Sequence, residues 1–273
     1  MGIVILTTPG DSKKKFTNSL HQITGEKVDL VIIQKVRKRP FLKRLSKIYT
    51  ENKLSIFLKE IWYSVVLRIN FRYKKALTYF REQSKIKDLK DNYLPRVLEV
   101  NSINDSNVLR ELKVISPDLM VIWGSGIIKP NVINTAKRVI NLHMGICPYY
   151  RGALANQNAL LHNDIRRIGA TIHYAEKKVD TGDIITTINA DHRKPPKEMF
   201  KELNDLAIKT YLEVIVKLFN GEELPRIPQN KSRSKNLLLK DWTPSKRHRL
   251  AKLILEREKL LEKQQRISLK PSE

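Results

Sequence analysis

The chain has 273 residues, enough for one substantial α/β domain with an appendage or for two small domains. Its formal charge of +24 is uneven: Lys35 to Lys90 holds 17 basic against 4 acidic residues, and Lys231 to Lys270 holds 13 against 4. A near-neutral body with two basic appendages suits a small-molecule enzyme adapted to an anionic partner or surface, whether phosphorylated substrate, anionic lipid or RNA. The single cysteine, Cys147, excludes an intramolecular disulfide and argues against a cysteine-ligated zinc site, so no metal is expected.

The first residues run straight into Gly-Ile-Val-Ile-Leu-Thr without a basic leader, and no window reaches the roughly 20 apolar residues that span a bilayer. A cytoplasmic location is expected by default. Ile3 to Leu6 and Val28 to Ile33 read as strands joined by a crossover helix with Phe16, Leu20 and Ile23 at helical spacing, a βαβ opening. From about residue 37 to 95 the chain turns basic and aromatic and reads as a helical insertion. Its stripe of Leu54, Phe57, Leu58, Ile61, Trp62, Val65, Val66 and Ile69 is expected to pack against the body, the rival reading being a membrane-surface or partner face.

Asp105-Ser106 caps a helix through Val114, Leu119 to Trp123 is a strand broken by Gly124-Ser125-Gly126, and Lys129-Pro130 opens a helix before the strand from Arg138 to Leu142. Ala155 to Asn163 reads as a helix, Gly169 to Tyr174 and Asp183 to Ile188 as strands, and Pro196 to Phe219 as a long amphipathic helix. Past Gly221 strand signals fade, and from about Ser245 a basic helix carries Leu250, Leu253, Ile254, Leu260 and Leu261 on one side. The expected fold is α/β and Rossmann-like, a mainly parallel sheet with helices on both faces. The catalytic domain is expected over residues 1–220, with a basic, mainly helical extension over 221–273.

In such sheets ligands sit beyond the carboxyl ends of strands. Asn141-Leu142-His143 ends one strand, and Asp180-Thr181-Gly182-Asp183 lies in a turn 37 positions after His143. Asn141 and His143 are two apart in extended chain, so their side chains leave the same face. An amide, an imidazole and a carboxylate suit acyl transfer to an amine without a covalent enzyme intermediate. Asn141 and His143 can donate to the developing alkoxide, one such donor being worth about 10²–10³ in rate. Asp180 can orient His143 and take the amine proton, directly or through one water, and which of the two residues handles it in each step stays open.

Asn141-Leu142-His143, Pro148-Tyr149-Tyr150-Arg151-Gly152, the strand Gly169 to His173 and Val179 to Ile184 together resemble the formyltetrahydrofolate-dependent formyltransferases. That group includes methionyl-tRNA formyltransferase, glycinamide ribonucleotide transformylase and the amino-sugar N-formyltransferases of surface-polysaccharide pathways. The resemblance implies that Asn141, His143 and Asp180 match the catalytic trio, that Ser125, Gly126 and Ile127 line a folate pocket, and that Val179 and Thr181 belong to the loop closing on the pteridine. It implies 10-formyltetrahydrofolate as co-substrate and a primary amine as acceptor on the opposite side of His143.

Departures narrow the acceptor. Thr7-Thr8-Pro9-Gly10 stands where the purine-pathway members carry a Gly-rich phosphate loop, and the region past Gly221 is short for the β-barrel of the tRNA enzyme. Gly145 replaces the usual serine two positions after the histidine, and Cys147 the usual leucine before the proline. The leading acceptor is then an amino sugar on a nucleotide, with Tyr150 and Arg151 as substrate contacts. A formyltetrahydrofolate hydrolase and a methionyl-tRNA formyltransferase-like enzyme are the alternatives; a basic RNA- or membrane-binding module on an inactive fold is the rival of another class. Nucleic acid is the less favoured partner, since no RNA module is recognisable. His173 and His162 read as structural, Asp183 as a strand-entry hydrogen bond, and Cys147 as a small loop filler rather than a nucleophile.

Overall fold

The runs Ile3–Thr7 (β1) and Leu119–Trp123 (β4) are buried at every position, the mark of central strands covered on both faces. In the computed structural model, which describes residues 2–36, 54–85, 90–230, 232 and 234–268, they pair in parallel at the centre of a seven-stranded sheet. The order is β3-β2-β1-β4-β5-β7-β8, with Val28–Gln34 as β2, Val97–Val100 as β3, Arg138–His143 as β5, Gly169–Tyr174 as β7 and Ile184–Asn189 as β8. The first five strands are parallel, β7 runs antiparallel to β5, and β8 antiparallel to β7. Strand order reverses between β1 and β4, and the crevice at such a reversal is where open α/β sheets take ligands.

Helices cover both faces. On one, α1 (Asp11–Ile23) and the long C-terminal-half helix Pro196–Phe219 share a core with Ile3, Ile5, Val121, Ile140 and Leu142. On the other, the helix Ser106–Ile115 packs Val108 and Leu112 against Val4, Leu6, Leu30 and Ile122. The fully buried Tyr211 fixes the long helix to the site-bearing strands: its hydroxyl lies 2.9 Å from the Ile122 carbonyl and 3.0 Å from that of Ile140.

Three short strands escaped the sequence reading. β3 is a four-residue edge strand with one buried residue, too short and too exposed to stand out as an apolar run. Past Gly221, Lys235–Leu237 (β9) pairs in parallel with Tyr150–Gly152 (β6), so the tail contributes a strand beside the expected site.

The described part of the insertion forms the helices α2 (Leu54–Ile69) and α3 (Phe71–Ala76), the latter capped by Asn70 Oδ1 accepting from the Tyr73 N–H; residues 37–53 and 86–89 lie outside the described residues. The expected packing of the α2 stripe holds only in part, for Phe57, Ile61 and Val66 are partly buried. Leu54, Leu58, Trp62, Val65 and Ile69 face solvent, while Glu60 and Leu67 are buried. The inner face is held by the helix Pro244–Ser268, where Ser245 donates to the Glu60 carboxylate through both backbone N–H and hydroxyl. The capping need of that helix start thus draws a carboxylate inward. No described helix is long and apolar enough to cross a membrane.

Candidate active site

Ile140 and Leu142 point from β5 into the larger core, so the alternation of the strand sends Asn141 and His143 out on the other face. β7 runs antiparallel beside β5 and sets His173 directly opposite Asn141. The loop between β7 and β8 then folds back and carries Asp180 onto the pair. Asp180 sits in the left-handed region at φ 50°, which Asp tolerates, and Gly182 follows where a Cβ would stand 1.9 Å from the Tyr174 carbonyl oxygen. Turn chemistry and carboxylate placement here serve the same end.

Asp180 Oδ2 lies 3.3 Å from His143 Nδ1 and accepts from the Gly152 N–H at 2.8 Å. Its Oδ1 accepts from Asn141 Nδ2 at 3.2 Å and is 3.4 Å from His173 Nε2. Burial pushes the Asp180 carboxyl up, but His143, His173 and the Gly152 N–H outweigh it and hold the group well below the usual carboxylate range. The carboxylate therefore stays ionised in a largely dry setting. His143 Nε2 donates to the Tyr150 carbonyl at 2.8 Å, so both ring nitrogens face an oxygen.

The structure brings Asn141, His143 and Asp180 together and adds His173, which sequence reasoning set aside as a strand residue. Its Nδ1 donates to the Tyr174 carbonyl at 2.7 Å, and its Nε2 lies 3.1 Å from Asn141 Nδ2 and 3.4 Å from Asp180 Oδ1. Only the β5–β7 register could have revealed it. Gly145 also gains meaning. A Cβ there would stand 2.3 Å from the Ala155 Cβ and 2.6 Å from His143 Nε2, so the missing side chain is what lets the imidazole reach Tyr150. Burial, reinforced by Asp180, pushes the Cys147 thiol up to about 12, which keeps it protonated and unreactive.

The other expected residues are less central. Tyr150 is buried and its hydroxyl donates to Asp164 at 3.0 Å, so its side chain faces the core and only its carbonyl meets the site. Arg151 is partly exposed and donates to Ser234 Oγ. The register sets Ile122 opposite Asn141, so the chain leaves β4 at Gly124 level with His143. There Gly126 N–H is taken by Gln34 Oε1 at 2.8 Å and the Ile127 carbonyl by Asn104 Nδ2 at 2.8 Å, while the Ile127 side chain and Ser125 remain accessible. Val179 is exposed and Thr181 buried, its hydroxyl donating to the Lys178 carbonyl.

At the strand-order reversal a cleft of about 230 Å³ is lined by Gly10, Lys13, Arg81, Trp123 and Met144, the residue after His143. Burial, with Arg81 as a second cause, lowers the Lys13 ammonium to about 8. Its Nζ donates to Thr8 Oγ1 and stands 5.8 Å from the Trp123 ring centre. Among the described residues, no group of three or more His, Cys, Asp or Glu side chains is placed to hold a metal ion.

Comparison with known proteins gives this site a family. A methionyl-tRNA formyltransferase from Syntrophomonas wolfei is 32% identical over 153 residues, 55% of this chain and 48% of the relative. The chain spans about half the length of the curated relatives it matches. Among solved structures, a sugar N-formyltransferase from Shewanella superposes with a TM-score of 0.56 at 13% identity, covering 93% of this chain and 88% of that one. WlaRD, a sugar 3N-formyl transferase solved in the presence of dTDP and 5-N-formyl-THF, gives 0.51 at 16% identity, with 89% and 71% covered. These likenesses establish the fold. The family model described as Formyl transferase matches residues 70–215, from the start of α3 into the long helix, more than half of the sequence, and the chain belongs to that family.

Proposed function

We propose that the chain transfers a formyl group from 10-formyltetrahydrofolate to a primary amine, and that the amine belongs to an amino sugar on a nucleotide. The observation that carries the reaction class is the convergence of Asn141, His143 and an ionised Asp180 at one strand end. In this reading the amine nitrogen attacks the formyl carbon and the carbonyl electron pair moves to oxygen. Asn141 Nδ2 and His143 stabilise that charge as donors by exchanging their present contacts, to His173 and to the Tyr150 carbonyl, for the substrate oxygen. Asp180 orients the His143 ring and accepts the amine proton transiently; a carboxylate held so low binds a proton weakly and passes it on to water. The carbonyl then re-forms as the bond from carbon to folate N10 breaks; N10 leaves with a proton from His143, which recovers one from the water that took the amine proton.

For the pterin we assign the loop of Ser125, Gly126 and Ile127 together with the loop of Val179 and Thr181. The exposed Ile127 and Val179 give these loops apolar surface for a planar ring. The acceptor reading draws support from the cleft of Lys13 and Arg81, two cations sharing one cavity beside Met144. A diphosphate there would relieve the burial of an ammonium next to a guanidinium. WlaRD was solved with dTDP, a nucleoside diphosphate.

A second reading rests on the sequence relatives, which are named as methionyl-tRNA formyltransferases. The test is direct. Protein supplied with 10-formyltetrahydrofolate is offered nucleotide-linked amino sugars in one arm and aminoacylated initiator tRNA in the other. Formylated sugar is the expected product; formylated tRNA alone would replace the acceptor, and free formate alone would make the enzyme a hydrolase.

A further inference from the structure

We propose that the outer face of α2 is a docking surface for anionic membrane lipid, so that the protein works at a bilayer surface without spanning it. Leu54, Leu58, Trp62, Val65 and Ile69 follow the i, i+4, i+8, i+11, i+15 spacing of one helix face, and all are exposed, Ile69 at 76%. Phe71, 74% exposed, extends the stripe into α3. Single exposed apolar residues need no explanation, but a contiguous row of large ones marks a surface that meets something.

Charge identifies the partner. At 100° per residue, Lys59 falls on one flank of the stripe, and Arg72, Lys74 and Lys75 are exposed beyond its end. The only carboxylate between Leu54 and Ala76 is Glu60, which is buried and bonded to Ser245. The outer face thus presents apolar side chains and cations with no acidic residue among them. Long basic side chains flanking an apolar stripe can reach headgroups while the stripe enters the acyl boundary. A second copy is disfavoured because two such faces would oppose cations on chains that each carry +24. A nucleic acid has no use for a row of leucine, valine and isoleucine. The inner face is already occupied, with the Tyr63 ring 4.6 Å and the Tyr73 ring 5.1 Å from that of His248, so the stripe is the side left over.

The test uses the full chain with vesicles of phosphatidylcholine alone and of phosphatidylcholine mixed with phosphatidylglycerol, binding being read by flotation. Wild type is expected to float with the anionic vesicles only, less so as salt rises. Leu58→Ser/Trp62→Ser/Val65→Ser should weaken that binding by about a hundredfold, with an unchanged circular dichroism spectrum because the three side chains lie outside the core. Arg72→Gln/Lys74→Gln/Lys75→Gln should weaken it about fivefold per charge. No binding to anionic vesicles, or equal binding by the serine variant, would overturn the proposal. So would a wild-type oligomer that the serine variant dissociates without lipid, since a second copy would then own the stripe, or an affinity for RNA that the serine variant loses.

Discussion

The cluster around Asp180 and the outer face of α2 treat their side chains in opposite ways. Asn141, His143, His173 and Asp180 sit largely out of water and are linked to one another by contacts of 3.1 to 3.4 Å. Along α2, large apolar groups face water and the one carboxylate is turned inward. A buried polar network survives only when its members satisfy each other, so the cluster is set in advance for a small reacting group. The outer α2 face has no partner among the described residues, and the proposed one is a lipid surface.

The largest expected effect separates the two regions most sharply. His143→Ala should reduce formyl transfer by about 10²–10⁴, measured as turnover, and should also lower the melting temperature of a still-folded protein, because Asp180 and the Tyr150 carbonyl lose a buried partner. Asp180→Asn tests the network itself and should cost about 3 kcal/mol by leaving buried partners uncompensated, read by denaturant titration. The sign of its pH dependence follows from a folded-state pKa held below the unfolded one: the stabilisation is full above roughly pH 4 and fades as pH falls through the folded value. The stability gap between wild type and Asp180→Asn should therefore close in acid. A gap that widens would show that the carboxylate is not held by its neighbours.

Lys13 gives a smaller effect at the other end of the pH range. With its ammonium lowered to about 8, affinity for a phosphorylated acceptor should fall as pH rises through that value. Lys13→Gln should raise KM about tenfold at neutral pH, the worth of a charge-assisted hydrogen bond, and flatten the profile. Gly145→Ala should cost about 1–3 kcal/mol in stability, because the Cβ meets Ala155 and His143 together. Smallest of all, Leu58→Ser/Trp62→Ser/Val65→Ser should shift stability by no more than about 0.5 kcal/mol per site and leave turnover on a soluble acceptor unchanged. Loss of turnover there would mean that the two regions are coupled.

The sequence made the parallel sheet and the Asn141, His143 and Asp180 set legible because each is written locally, in a continuous apolar run or a short motif at a strand end. His173 was not, since its role depends on β7 pairing antiparallel with β5, a register set by long-range packing. β3 and β9 are too short to form a periodic signal. The α2 stripe was visible as a stripe, but periodicity cannot say which face is covered. What decided it was Ser245 binding Glu60, a contact between residues 185 positions apart.

Formyl transfer through His143 is best tested by following a labelled formyl carbon from 10-formyltetrahydrofolate in the presence of a nucleotide-linked amino sugar, with wild type and with folded His143→Ala. Label should move to the acceptor nitrogen with wild type and remain on the folate with the variant. Equal transfer by both proteins, or transfer by neither, would contradict it.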